Sequence, residues 1–179
     1  TLQVKLTSDG NEYTGEWTNK DVKVELTTNG VKPSGYKEKD GENESLKDPK
    51  NIDINNITGK ATITYDEDFS GEKYYVGNNS DGNQITNVVG GYLIKLDKTA
   101  PTIGVARKVV GTNSIAVQIV GADDALSGIK EYEIMIYKDD TCLATYKGES
   151  GEVTFANLKS STAYQIKYKI TDNAGNTTD

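Results

Sequence analysis

The chain has 179 residues, a formal net charge of −7, 35% hydrophobic residues and no histidine. That charge argues against nucleic acid, which is bound largely through Lys and Arg on phosphates, and the missing histidine removes the commonest general base and transition-metal ligand together. No apolar run approaches the ~20 residues of a bilayer span, and the one cysteine, Cys142, allows no disulfide within the chain.

In chain order, the first predicted strands are "LQVKL" (2–6) and "VKVEL" (22–26), in which apolar residues alternate with polar ones. Trp17, between them, reads as a core plug or a cap over one end of a sandwich, with a carbohydrate platform as the alternative. A long polar stretch, 37–60, follows; it is expected to be a surface insertion or an irregular extra strand. Then come "ATITY" (61–65), "EKYYV" (72–76) and "YLIKL" (92–96). Tyr13, Tyr36 and Tyr92 are candidates for an exposed glycan-stacking face.

"DKTAPT" (97–102) ends this series. Pro101 fixes its own φ and biases Ala100 to extended geometry, as suits a short semi-rigid linker. The next strand is expected to open at Ile103. It is followed by "SIAVQIV" (114–120), "YEIMIY" (132–137), "CLATY" (142–146) and "EVTF" (152–155). Cys142 reads as a small apolar strand residue. The last segment, "AYQIKYKI" (163–170), alternates strictly, with Tyr164, Ile166, Tyr168 and Ile170 on one face. That is the pattern of a half-buried antiparallel strand. Turn pieces such as "GADDALSG" and "DNAGN" separate the runs, and no helical period appears.

A repeat organises these elements. "SGYKE" at Ser34 and "SGIKE" at Ser127 lie 93 residues apart, and the same offset lays Val22, Val24 and Leu26 on Ile115, Val117 and Ile119, and Tyr75 on Tyr168. A constant offset at separated places points to duplication. The expected architecture is all-β: two tandem antiparallel β-sandwiches, 1–98 and 99–179, joined by the proline-containing linker. The final strand of the second is expected to be ragged or truncated. With no initiator Met and no signal peptide, the chain is expected to be a piece of a longer precursor.

"FANLKSSTAYQIKYKITDNAGN" (155–176) resembles the E–F–G region of a fibronectin type III domain, where a Leu six residues before a Tyr marks the tyrosine corner. Leu158 and Tyr164 hold those places. Gly71 stands at the equivalent position of the first module, so no tyrosine corner is expected there unless Tyr74 takes the role. "ADDALSGIKEYEI", "TDNAGN" and "DKTAPT" resemble tandem bacterial Ig-like repeats of Gram-positive surface and secreted proteins. The resemblance implies an extracellular, non-catalytic spacer or adhesion repeat whose partners are neighbouring repeats. The alternative it implies is an accessory module of a secreted hydrolase, binding glycan or a host surface protein.

In such a sandwich Asp97, Asp123, Asp124 and Asp172 would gather at one end, and several carboxylates with loop carbonyls are what Ca²⁺ takes. The competing account has each Asp closing its own turn. A Lys–Asn cross-link between Lys5 and Asn87, similar to a habit of some pilus and adhesin domains, is a further candidate. Carboxylate pairs such as Asp66 and Asp68 lack the cleft that glycoside chemistry needs, so no enzyme is expected.

Overall fold

In a computed structural model describing Thr1–Asp179, the chain separates into two compact units, Thr1–Lys98 and Thr99–Asp179. The first contains β1 (Leu2–Ser8), β2 (Asn11–Glu12), β3 (Val22–Thr28), β4 (Gly35–Lys39), β5 (Ile52–Ile54), β6 (Ala61–Tyr65), β7 (Phe69–Asn78) and β8 (Val89–Leu96). One sheet runs in the order β2-β1-β3-β6-β5 and the other β4-β7-β8. Every strand pair is antiparallel.

Alternation explains which side chains meet between the sheets. Val22, Val24 and Leu26 on β3 are fully buried with Ile63 on β6, Tyr75 on β7 and Ile94 on β8. Each such side chain contributes about 1.5–3 kcal/mol on burial. The β1–β2 hairpin closes through Asp9 and Gly10, both at positive φ (49° and 79°), as a two-residue turn with Asp-Gly requires. On β8, Gly91 at φ 80° is left unpaired between Lys73↔Tyr92 and Tyr74↔Gly90. This bulge suits glycine, the residue that adopts positive φ without steric cost.

The polar stretch 37–60 is not one insertion. Its start belongs to β4, where Glu38 faces Tyr75 and is only 6% exposed. Residues 42–48 are exposed, Glu38 and Lys47 exchange backbone hydrogen bonds, and Ile52–Ile54 returns as an edge strand on β6.

The second unit contains β9 (Val105–Val110), β10 (Ile115–Val120), β11 (Ile129–Lys138), β12 (Thr141–Gly148), β13 (Glu152–Phe155), β14 (Gln165–Asp172) and β15 (Thr177–Thr178). Its sheets are β13-β10-β9 and β12-β11-β14-β15. Ile115, Val117 and Ile119 bury against Ile134, Ile136 and Ile170 from the facing sheet, with Phe155. The first strand starts at Val105 rather than Ile103, because Gly104 (φ 69°) and Gly121 (φ 80°) break the ladder; beyond the break Thr102 still bonds the Asp123 carbonyl at 2.8 Å in the same register. The last strand is two residues long and pairs Ile170 with Thr178 and Thr171 with Thr177.

The 93-residue offset holds in the core of β3 and β10 but slips in the facing sheets. Tyr75 opposes Glu38, whereas Tyr168 opposes Ile134 and not Glu131. In the second unit β11 is ten residues long, with a register shift between Ile129 and Glu131. That bulge shifts the register by one residue and accounts for only part of the three-residue slip that sets Ile134 where the offset places Glu131.

Candidate functional site

The first unit holds a charged cluster between its sheets. Phe69, Lys73 and Tyr75 share the inward face of β7, Glu38 and Asp40 come from β4 and the residue after it, and Tyr65 ends β6 of the other sheet. Lys73 is 5% exposed. Its Nζ contacts Asp40 Oδ1, lies 3.5 Å from Glu38 Oε1, and sits 4.2 Å from the centroid of the Phe69 ring and 5.1 Å from that of Tyr65. A desolvated ammonium over an aromatic face is worth about 2 kcal/mol.

The remaining polar atoms are also engaged. Tyr65 donates its hydroxyl proton to Glu38 Oε2, so Tyr75, whose oxygen is 2.8 Å away, donates to Tyr65. Burial, with the neighbouring phenol and the Glu38 charge, pushes the Tyr65 hydroxyl far above the ordinary phenol range; burial also raises Tyr75. Burial pushes the Asp40 carboxyl upward as well, but hydrogen bonds from Lys47 and Lys73 outweigh it and hold that carboxyl below its ordinary value. Lys47 reaches Asp40 Oδ2 from the solvent side, with its own side chain 48% exposed. Sequence reasoning missed this cluster. The signal was the inward phase of "EKYYV", which places Lys73 on the same face as Tyr75.

Of the four predicted acidic residues, the second unit brings Asp124 and Asp172 together, with a carboxylate oxygen of each within 4.8 Å. Both close turns. Asp124 Oδ1 accepts the backbone N–H of Gly128 at 2.6 Å and that of Leu126 at 3.3 Å. Asp172 Oδ1 accepts from the N–H groups of Ala174 (2.9 Å) and Asn176 (2.8 Å), and Oδ2 from the Asn176 amide at 2.8 Å. Asp123 is exposed and stays outside the pair, because its backbone is tied to Thr102. Asp97 lies in the first unit, fully buried, with its N–H on the Thr18 carbonyl at 2.9 Å.

Tyr164 accepts a hydrogen bond from the Lys159 N–H at 2.9 Å, and Leu158 packs on the second core while its backbone pairs with Asn113. Tyr74 does not do the same in the first unit; its hydroxyl goes to Glu72 at 3.0 Å. Pro101 is buried after a trans peptide. Trp17 is half-buried under the Lys95 ammonium, 5.8 Å from its ring centroid.

Three expectations change. Tyr13 and Tyr36 are not exposed stacking rings: both are core residues, with hydroxyls on the carbonyls of Glu16 (2.8 Å) and Gly59 (2.7 Å), and Tyr92 packs beside them. Lys5 and Asn87 do not face each other. Lys5 is exposed and paired with Glu25 on β3, while Asn87 is exposed in the loop before β8, a strand of the other sheet. Cys142 is in a strand but exposed, because β12 turns it outward at the sheet edge.

The five-and-three arrangement of the first unit contains the β1-β3-β6-β5 and β4-β7-β8 sheets of the immunoglobulin constant type. The second unit instead carries its extra strand, β12, beside β11. Domains A168–A170 of titin superpose with a TM-score of 0.61 over 98% of this chain, at 12% identity. These are Ig- and fibronectin III-like sandwiches. The chain spans 62% of that titin structure. Chicken CNTN1 FN1–FN3 domains also match, at 14% identity and a TM-score of 0.40, covering 91% of this chain and 61% of theirs. No family model matches the chain. No curated protein matches it.

Proposed function

We propose that the chain is a non-catalytic spacer or adhesion repeat of a bacterial surface or secreted protein, working outside the cell next to further repeats. The observation that carries this reading is the pair of tandem sandwiches, each with a core of its own. A module that transmits load or sets distance needs stable small cores more than a cleft. Burial of Tyr13 and Tyr36 also removes two of the three rings of the proposed glycan-stacking face. No helix of the chain is long and apolar enough to cross a membrane.

Glycan-array and polysaccharide-gel binding by the whole chain tests the reading. Absence of retention is expected. Specific, saturable retention on one polysaccharide would replace the spacer with an accessory carbohydrate-binding module.

A further inference from the structure

A lysine has no ordinary reason to sit between the sheets of a sandwich, since buried ammonium groups occur only when paired. Lys73 does so against two carboxylates under two aromatic rings. The register makes this arrangement deliberate. Lys39 pairs with Tyr74, so Asp40 follows opposite Lys73, and Glu38 is the diagonal neighbour on the same inward face. We propose that Lys73 and Asp40 condense into a side-chain amide that ties β4 to β7, with Glu38 as the acid–base group.

The chemistry is balanced within these three residues. The Lys73 ammonium passes a proton to the Asp40 carboxylate, which leaves a neutral amine beside a neutral carboxylic acid. Burial opposes both charges of the ion pair, but the hydrogen bonds from Lys47 and Lys73 favour the Asp40 carboxylate, so this transfer is uphill and must precede attack. Lys73 Nζ then attacks Asp40 Cγ. Glu38 takes a proton from the nitrogen and returns it to the departing hydroxyl, the Cγ–O bond breaks, and one water leaves. No oxidant or reductant is involved, and the product amide carries no charge.

Two details of the site support these roles. Glu38 Oε1 is 3.5 Å from Lys73 Nζ, while its other oxygen is held by Tyr65, which fixes the carboxyl toward the amine. Holding two reacting groups in one geometry replaces a bimolecular encounter with an intramolecular one. Lys47 also touches Asp40 but is 48% exposed, so its ammonium stays hydrated and protonated. It covers the second carboxylate oxygen, on the side where a cavity of about 250 Å³ opens between Glu38, Asp40, Tyr65 and Phe69. The Lys5–Asn87 pair has neither burial nor a neighbouring carboxyl of this kind.

Intact-mass measurement of the whole unaltered chain tests the proposal. The expected mass is lower than that of the sequence by one water. Trypsin should then leave residues 40–47 attached to 61–95, uncut at Lys73. A mass equal to that of the sequence overturns the bond. So does a one-water loss confined to the Asp40–Gly41 peptide with Lys73 cleaved normally, because that is a succinimide. Glu38→Gln should restore the full mass while its far-ultraviolet circular dichroism stays β-type, and Lys47→Ala should keep the cross-link. A Glu38→Gln chain that loses water as completely as the parent overturns the assigned role of Glu38. The peptide map of the unaltered chain decides the bond whether or not that variant folds.

Discussion

At the residue scale, the acids of the second unit are instructive because their oxygens are already committed. Asp124 and Asp172 lie close enough to share a cation, yet each accepts two or more hydrogen bonds from its own turn. Carboxylates accepting several N–H groups are well satisfied without an ion. Thermal melts of the chain with calcium and with a chelator are therefore expected to coincide. A midpoint that rises with calcium would show that an ion supplies what the turns do not. Lys73 teaches the opposite lesson: a single charged residue can be placed inward when rings and carboxylates are assembled around it.

At the element scale, cross-strand pairs decide how sheets are held at their exposed faces. Glu133 on β11 lies directly opposite Lys147 on β12 and Lys169 on β14, at 3.2 Å and 3.4 Å between charged atoms. The hydrogen bond from Lys147, then the charges of both lysines, hold the Glu133 carboxyl below its ordinary value. A carboxyl depressed in the folded state stabilises the fold above the unfolded pKa, and that contribution is lost as pH falls through the folded value. Glu133→Gln should remove a stability increment that the parent shows at neutral pH and lacks in acid. Both lysines are well exposed, so the increment is expected to stay under about 1 kcal/mol. Urea denaturation of parent and variant at neutral and acid pH checks it; equal differences at both would exclude the ion triad as the cause.

Strand-level reading from sequence succeeded where one face is apolar and the other charged. In β14 the residues expected inward, Ile166, Tyr168 and Ile170, pack on the core, while Gln165 and Lys167 are exposed. It failed for β4. "GYKEK" alternates one tyrosine with three charges, and the glutamate that faces inward is satisfied by Tyr65 and Lys73, 27 and 35 residues away. Local periodicity carries no trace of a partner on another strand. The same limit moved Tyr13 and Tyr36 from the surface to the core. Their hydroxyls find backbone carbonyls that only the folded loops present.

At the whole-molecule scale, two cores without a shared residue imply two separable stabilities. Ile170 is fully buried in the second core. Ile170→Ala should cost about 2–5 kcal/mol in that unit and leave the unfolding of the first unit in place. Calorimetry or urea titration followed by tryptophan fluorescence separates the two, since the one tryptophan, Trp17, lies in the first unit. A variant whose Trp17 signal shifts with the rest of the transition would mean that the units unfold together.

What the amino-acid order determined by itself was the class of object: an all-β chain of two sandwiches. That information lies in period-2 alternation, turn residues and an internal offset, all of which are local or repetitive. The tertiary structure alone decided which polar residues are inside. Whether Lys73 or Glu38 faces solvent depends on strand register and on the opposite sheet, and the free energy of burying a charge is set by the groups that surround it. Those groups come from three strands and meet only when the first sandwich closes.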